Sequence, residues 1–332
     1  MGAVDTPTDL AREVRDSEVP DTTVASRLEQ RLERLPSGHP SALDYADRRG
    51  PADQVLPFTD LEHAEHVADV RARLSDAHAA GLSTDRCYTL DEKRKVWTAE
   101  RDALHDSLVG DLYAAADAVP CEGKAIIAGG TGGAGKTTIL GSHHGVDESQ
   151  YLTINPDVIK AEMARRGLVP EVKGLSPMEA TDLVHEESSR VAKRLAHRAY
   201  ADRKNVIWDI TMSSGHSTGT RIEALRNAGY AQIQGVFVDV PVDVSAKRAD
   251  ARYRKDHEAY HAGQGLGGRY IPPEVVLSQA NDVWGSNNRA NFEQVKDRFD
   301  TWSRYDNSVD GRPPVLVEVG GRGMDDEMRA RT

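Results

Sequence analysis

The run Gly130-Thr131-Gly132-Gly133-Ala134-Gly135-Lys136-Thr137 spells G-x-x-x-x-G-K-[ST], the spacing of a phosphate-binding loop. The chemistry asks for those residue types. Glycines let backbone N–H groups turn inward around phosphate oxygens, and the helix that follows adds the positive end of its dipole. In such a loop Lys136 reaches the β- and γ-phosphates and the Thr137 hydroxyl ligates Mg2+. The alternative is a glycine-rich surface turn with a chance lysine. Context favours the loop: Ala125-Ile126-Ile127-Ala128 upstream is a short apolar run of buried-strand type, and Thr138-Ile139-Leu140 downstream can open a helix. Gly130 to Thr138 is therefore the expected nucleotide-binding run, with a nucleoside triphosphate and Mg2+ as its ligands.

In an open α/β sheet, ligands bind beyond the carboxyl ends of the strands, so polar residues there are the next candidates. Asp157 follows a strand ending at Ile154. It could orient or deprotonate an attacking hydroxyl lying within hydrogen-bond reach, or it could simply favour the first turn of a helix. Asp209 closes the apolar run Val206-Ile207-Trp208, where a carboxylate is costly unless paired or beside a metal. That position favours an Mg2+ or water-mediated role over a structural hydrogen bond. Thr211 ends the same segment, and a fourth strand ends at Asp239-Val240-Pro241. Downstream come Lys247-Arg248, Arg252-Tyr253-Arg254-Lys255 and Arg269, with Gly263–Gly268 as a hinge. Phosphoryl transfer leaves negative charge on equatorial oxygens, which arginines on a mobile segment stabilise. Lys247, Arg248 and Lys255 fit a solvated helix face.

Two further motifs match in letters but not in setting. His257-Glu258-Ala259-Tyr260-His261 satisfies H-E-x-x-H, which on a helix can hold zinc. Gln264 and Gly267 stand where a metzincin carries its glycine and third histidine, and the charged neighbours favour exposed histidines. Gly263-Gln264-Gly265-Leu266-Gly267-Gly268 satisfies G-x-G-x-x-G but follows a polar helical stretch and precedes Pro272-Pro273. It reads as a flexible loop, not a dinucleotide fingerprint.

The elements that must position these residues change character near Pro120. Before it the pattern is helical. Val24, Leu28, Leu32 and Leu35 share a face between Thr22 and Leu35, stopped by Pro36-Ser37-Gly38. Leu61, Ala64, Val67, Val70 and Leu74 repeat that spacing and end near Gly81. Thr89-Leu90-Asp91-Glu92 reads as a capping box before a helix presenting Val96, Leu104, Leu108 and Leu112 to the core. The first 20 residues are polar and are expected to be disordered.

After Pro120, β-rich runs alternate with helical segments, the signature of a mostly parallel sheet. The expected strands are 124–128, 151–154, 205–210, 232–240 and 314–319. Asn155-Pro156 reads as cap and first helical residue with Gly167 as the stop, and Ser176-Pro177-Met178-Glu179 as a second capping box. The expected architecture is a three-layer α/β core over 120–332, with a lid-like segment around 244–272, behind a helical N-terminal extension over 1–119.

Composition narrows the function classes. A net charge of −11 argues against broad nucleic-acid binding, which calls for a basic face. No apolar run reaches the roughly 20 residues of a membrane span, and MGAVDTPTDLAREVRD lacks the basic start and apolar core of a secretory signal. Cys87 and Cys121 are the only cysteines and lack metal-ligand spacing. A cytoplasmic protein without a disulfide scaffold is the expectation.

Taken together, Gly135-Lys136-Thr137, Asn155-Pro156-Asp157-Val158-Ile159-Lys160, His185-Glu186-Glu187-Ser188-Ser189, Asp209-Ile210-Thr211 and Arg252-Tyr253 resemble the zeta toxin family over roughly 120 to 280. The Asn-Pro-Asp and His-Glu-Glu-Ser-Ser segments carry the specificity, because many families share the loop. The resemblance implies a P-loop kinase of a toxin–antitoxin system. The best-known members use ATP to phosphorylate the 3′-hydroxyl of UDP-N-acetylglucosamine. It further implies Asp157 as catalytic base, Arg252 and Arg269 as the arginines holding the transferring phosphate, and an antitoxin protein as partner. Glu186 and Glu187 are the candidates for the family's substrate-binding acid. Asp209-Ile210-Thr211 stands where the family commonly shows Glu-Gly-Thr, a shorter acid and a lost glycine beside the acceptor. The rivals are a polynucleotide end kinase, which should carry a basic groove, and a nucleotide-dependent switch, which predicts slow hydrolysis and no phosphorylated acceptor. The N-terminal helices could serve a partner or act as a built-in cover.

Overall fold

The computed structural model describes residues 58–91 and 95–322; the expected helix at Thr22–Leu35 and the polar N-terminus lie outside them. In chain order the elements begin with helix α1 (Asp60–Ala79), α2 (Thr84–Cys87), strands β1 (Thr89–Asp91) and β2 (Val96–Trp97), and α3 (Ala99–Ala114). Next come β3 (Lys124–Gly129), α4 (Lys136–Thr138), β4 (Leu152–Ile154), α5 (Pro156–Arg165) and α6 (His185–Ala201). They are followed by β5 (Val206–Asp209), α7 (Gly215–Asn227), β6 (Gln232–Asp239), α8 (Val242–His261) and α9 (Pro273–Leu277). The series ends with β7 (Ala280–Asn281), β8 (Gly285–Ser286), α10 (Asn287–Val295), β9 (Thr301–Asp306) and β10 (Val315–Gly321). None of the described helices is long and apolar enough to cross a membrane.

The described residues form two compact units that draw on interleaved segments, one from 58–91, 95–109, 159–191 and 256–269, the other from 110–158, 192–255 and 270–322. In the second unit a six-stranded sheet runs in the order β10-β9-β6-β3-β5-β4. Its strands are parallel except β10, which runs against β9. β3 therefore lies between β5 and β6, so its carboxyl end opens at the middle of the sheet, where α/β folds place ligands. Ile126, Ala128, Ile207, Val236 and Val238 form one core cluster with Ala134, Ile139 and Leu140 of the loop and its helix. Burying the loop's apolar residues in the sheet core anchors the glycine run without fixing its polar groups.

All five expected strands are present within two residues at each end. β9 was not foreseen, because Thr301-Trp-Ser-Arg-Tyr-Asp306 mixes polar and aromatic residues without a clean period. In the sheet Trp302, Ser303 and Tyr305 are nevertheless buried.

In the first unit, α1 starts from a capping box: Glu62 N–H donates to Thr59 Oγ1 at 3.3 Å, and Thr59 N–H donates to Glu62 Oε2 at 2.8 Å. The buried stripe differs from the expected one. Val70 and Leu74 are buried, but Leu61 is 70% exposed, and His63 and His66 take the inner positions of the first turns. A polar cluster around Glu179 faces that end of the helix, so imidazoles outcompete leucine there. The capping box expected at Thr89 is also corrected. Thr89–Asp91 is a strand paired with Val96–Trp97, and α3 starts after Thr98, whose Oγ1 accepts from Arg101 N–H at 3.3 Å. Of the positions expected to face the core, only Leu108 is buried; Arg101, His105 and Val109 join it. The second capping box is real. Ser176 N–H donates to Glu179 Oε2 at 2.7 Å, and Glu179 N–H donates to Ser176 Oγ at 3.4 Å, starting a 3-10 turn over Glu179–Val184 that leads into α6.

Candidate phosphate-transfer site

The glycine loop leaves β3 at Gly129 and crosses to α4 through three glycines with positive φ, Gly130, Gly133 and Gly135. At Gly133 two demands coincide. Its φ is +89°, and a Cβ there would stand 2.8 Å from the Ser245 carbonyl oxygen. We expect Gly133→Ala to cost about 1–3 kcal/mol of backbone strain and to weaken ATP binding at least tenfold, read by titration calorimetry. Around the loop, the Thr131 and Ser245 hydroxyls are hydrogen-bonded, and Asn307 Nδ2 donates to the Ala134 carbonyl at 2.8 Å. The helix it opens is brief, since α4 passes at Ile139 into a π-type turn that ends at His143. Local N–H groups, more than a long helix dipole, are what this loop offers a phosphate.

Lys136 folds back over its own loop. Its Nζ donates to the Gly130 carbonyl at 3.1 Å and lies 3.5 Å from Asp209 Oδ1. Asn155 Nδ2 donates to the other oxygen of Asp209 at 2.8 Å. The same amide accepts from the Asp157 N–H through Oδ1 at 2.8 Å, which caps α5. Lysine, Asp209, Asn155 and the backbone of Asp157 thus form one connected set at the carboxyl ends of β3, β5 and β4. The cost of a half-buried carboxylate at the end of β5 is met by a cation and an amide. Asn155 is the positioning residue that reasoning from charge alone did not single out. Asn307 was missed because it follows β9, itself unforeseen.

Thr137 and Thr138 are exposed at the start of α4, leaving the Thr137 hydroxyl open to solvent. Hydroxyl and carboxylate oxygens of the kind Thr137 and Asp209 carry suit Mg2+, a hard cation with oxygen ligands. Thr211 is exposed, and its carbonyl accepts from Asn288 Nδ2 at 2.8 Å. Asp239, at the end of β6, is paired with Arg289 and lies 3.5 Å from Arg304. Arg252 is exposed on α8.

Glu186, Glu187 and Arg269 belong to the first unit. There Glu186 is exposed and Arg269 half-buried. Glu187 is fully buried, and both its oxygens are engaged. Arg101 Nε donates to Oε1 at 2.6 Å and Nη2 to Oε2 at 2.9 Å, while His105 Nε2 lies 2.6 Å from Oε1. Burial opposes the Glu187 charge, but the hydrogen bonds from His105 and Arg101 hold its carboxyl below the usual glutamate value. Of the two glutamates, Glu186 is the one open to solvent.

With that geometry in place, the sequence comparison is decisive. The family model described as "Zeta toxin" matches residues 117–310, more than half of the chain. The chain belongs to the zeta toxin family. The match runs some 30 residues beyond 280, where the motif resemblance stops, and so takes in β9 and Asn307. No curated protein sequence matches the chain. Among solved structures it is similar to the AvrRxo1-ORF1:-ORF2 complex with ATP, at 20% identity and a TM-score of 0.54, covering 71% of this chain and 76% of that one. The same complex with sulphate ions matches at 19% identity, also with a TM-score of 0.54, over the same shares. The PezAT toxin–antitoxin system of Streptococcus pneumoniae is more distant, at 17% identity and a TM-score of 0.43 over 64% of this chain and 78% of that one. At the identities of the two AvrRxo1 structures the likeness is one of fold, a mostly parallel α/β core.

Proposed function

We propose that this chain is an ATP-dependent kinase that transfers the γ-phosphoryl group to a hydroxyl of a nucleotide or nucleotide sugar, and that it acts as the toxin of a toxin–antitoxin pair. The observation that carries the reading is the connected set Lys136–Asp209–Asn155–Asp157 at the loop of a zeta toxin family chain. ATP bound to the AvrRxo1 complex supports ATP as donor.

In the reaction, Asp157 accepts the proton of the acceptor hydroxyl as its oxygen bonds to the γ-phosphorus and the bond to the β–γ bridging oxygen breaks, releasing ADP. The loop amides and Lys136 hold the β- and γ-phosphates in line, so that positioning and charge neutralisation supply the rate. Asn155 keeps Asp157 and Asp209 in register. Thr137 and Asp209 would hold Mg2+, which supplies further charge neutralisation on the phosphates. On the motif resemblance, Arg252 and Arg269 are the proposed arginines for the charge on the transferring group, and Glu186, the exposed one of its pair, is the proposed acid for the acceptor; Thr211 is a further proposed substrate contact. An antitoxin-type protein is the proposed partner.

The test is incubation of the purified full chain with ATP and a panel of nucleotides and nucleotide sugars, read by mass spectrometry. One acceptor should gain a phosphate, and Lys136→Ala should reduce the rate on the order of 10^2–10^3-fold. Slow ATP hydrolysis with no phosphorylated acceptor would replace this reading with a nucleotide switch.

A further inference from the structure

The H-E-x-x-H segment was expected to be an exposed accident of sequence. It is not exposed. His257 is 1% accessible at the end of α8, in the first unit, and two other buried groups converge on it, His66 of α1 and Glu179 of the 3-10 turn. One ligand atom from each, the imidazole nitrogens and a carboxylate oxygen, lies within 4.8 Å of the other two. Glu179 Oε1 is 2.7 Å from His66 Nε2 and 3.3 Å from His257 Nδ1. Ligands about 2.0–2.1 Å from a tetrahedral zinc stand roughly 3.3 Å from one another, so small side-chain adjustments bring all three onto one ion.

We propose that His66, Glu179 and His257 form a structural site for a zinc-class divalent cation. Two imidazoles and one carboxylate are the donor set of a borderline metal, not of Mg2+ or Ca2+. The surroundings are those of a built site. The second oxygen of Glu179 is fixed by the Ser176 N–H at 2.7 Å, the kind of outer contact that orients a ligating carboxylate. The His66 and His257 rings stack with centroids 3.8 Å apart, and Phe58 covers His257 at 4.8 Å, which keeps water out. Each histidine also has another about one helical turn away, His63 before His66 and His261 after His257. The ligands come from sequence positions far apart, so the ion ties α1 to the end of α8 and to the turn before α6. Glu258, which would be the base in a zinc protease, instead accepts from the Phe58 N–H at 3.0 Å. The role of the ion is therefore to hold structure, not to activate water.

The full chain, stripped with a chelator, is titrated with Zn2+ in the presence of Mg2+, and bound metal is counted after desalting. One zinc per chain is expected, with a rise in the thermal midpoint, and Co2+ should give the visible absorption of a low-coordinate site. His66→Gln and His257→Gln should each weaken zinc binding by at least about 100-fold, whereas Asp209→Asn, at the kinase site, should leave the stoichiometry unchanged. That separates this proposal from the kinase reading. Should either variant fail to fold, stripping and restoring the metal on the unaltered chain still decides. No zinc retained at micromolar concentration with no thermal shift, or undiminished binding in both folded variants, would overturn the proposal in favour of a His–Glu–His hydrogen-bonded cluster.

Discussion

Replacing Asp157 by Asn should lower the phosphoryl-transfer rate about 10^2–10^4-fold while leaving ATP affinity nearly unchanged. The carboxylate is the only part of the residue the change removes. The Asp157 N–H bond to Asn155 Oδ1 is a backbone interaction and survives, so the start of α5 and the hold on Asp209 stay in place. An amide cannot accept the acceptor's proton, whereas in the proposed reaction the triphosphate is held by the loop and Lys136. The measurement is steady-state kinetics beside calorimetric ATP binding. If the rate persists within a few-fold, Asp157 is only an acid favouring the first turn of α5 and the base lies elsewhere. Asn155→Ala makes a useful companion, because it frees Asp209 and the α5 cap together and should affect binding and rate at once.

The second large effect concerns stability. Glu187→Gln should destabilise the first unit by about 3–5 kcal/mol, seen as a lower midpoint in urea or on heating. The glutamate is fully buried between Arg101, 6% exposed, and His105, 2% exposed. Removing its charge strands a guanidinium that also donates to the Leu168 carbonyl at 2.7 Å and stacks on Tyr88. The double change Glu187→Leu with Arg101→Met should recover part of the loss, since a buried pair replaced by apolar groups no longer pays for desolvated charge. The same pair sets a pH dependence. The folded carboxyl titrates below the ordinary value of 4.5, so the unfolded chain binds its proton first. Its contribution is fully present above that value and is lost as the pH falls from there through the lowered folded value. Glu187→Gln should flatten the acid limb of the stability curve; an unchanged limb would remove Glu187 from its cause.

Much of this was legible in the chain. The glycine loop, the strand before it and the acid after each of the next two strands are local features with strict spacing requirements. A backbone that must wrap phosphates tolerates few alternatives at Gly130, Gly133 and Gly135. The parallel sheet followed from alternation of apolar runs with helical segments. β9 did not, because a strand's membership depends on its neighbours as much as on its own residues. Likewise α1 offered an apolar stripe starting at Leu61, but the face that became buried carries His63 and His66. Amphipathic spacing ranks faces by hydrophobicity and cannot foresee a polar partner.

The sequence by itself thus determined the glycine loop, the sheet class and the family, since each rests on short local motifs and patterns whose backbone needs are met locally. Only the tertiary structure decided how the polar groups are spent. It joined Asp209 to Lys136 and Asn155, enclosed Glu187 between Arg101 and His105, and gathered His66, Glu179 and His257 from three separate segments. Such pairings are long-range, and a side chain's charge says that it needs a partner without saying which one.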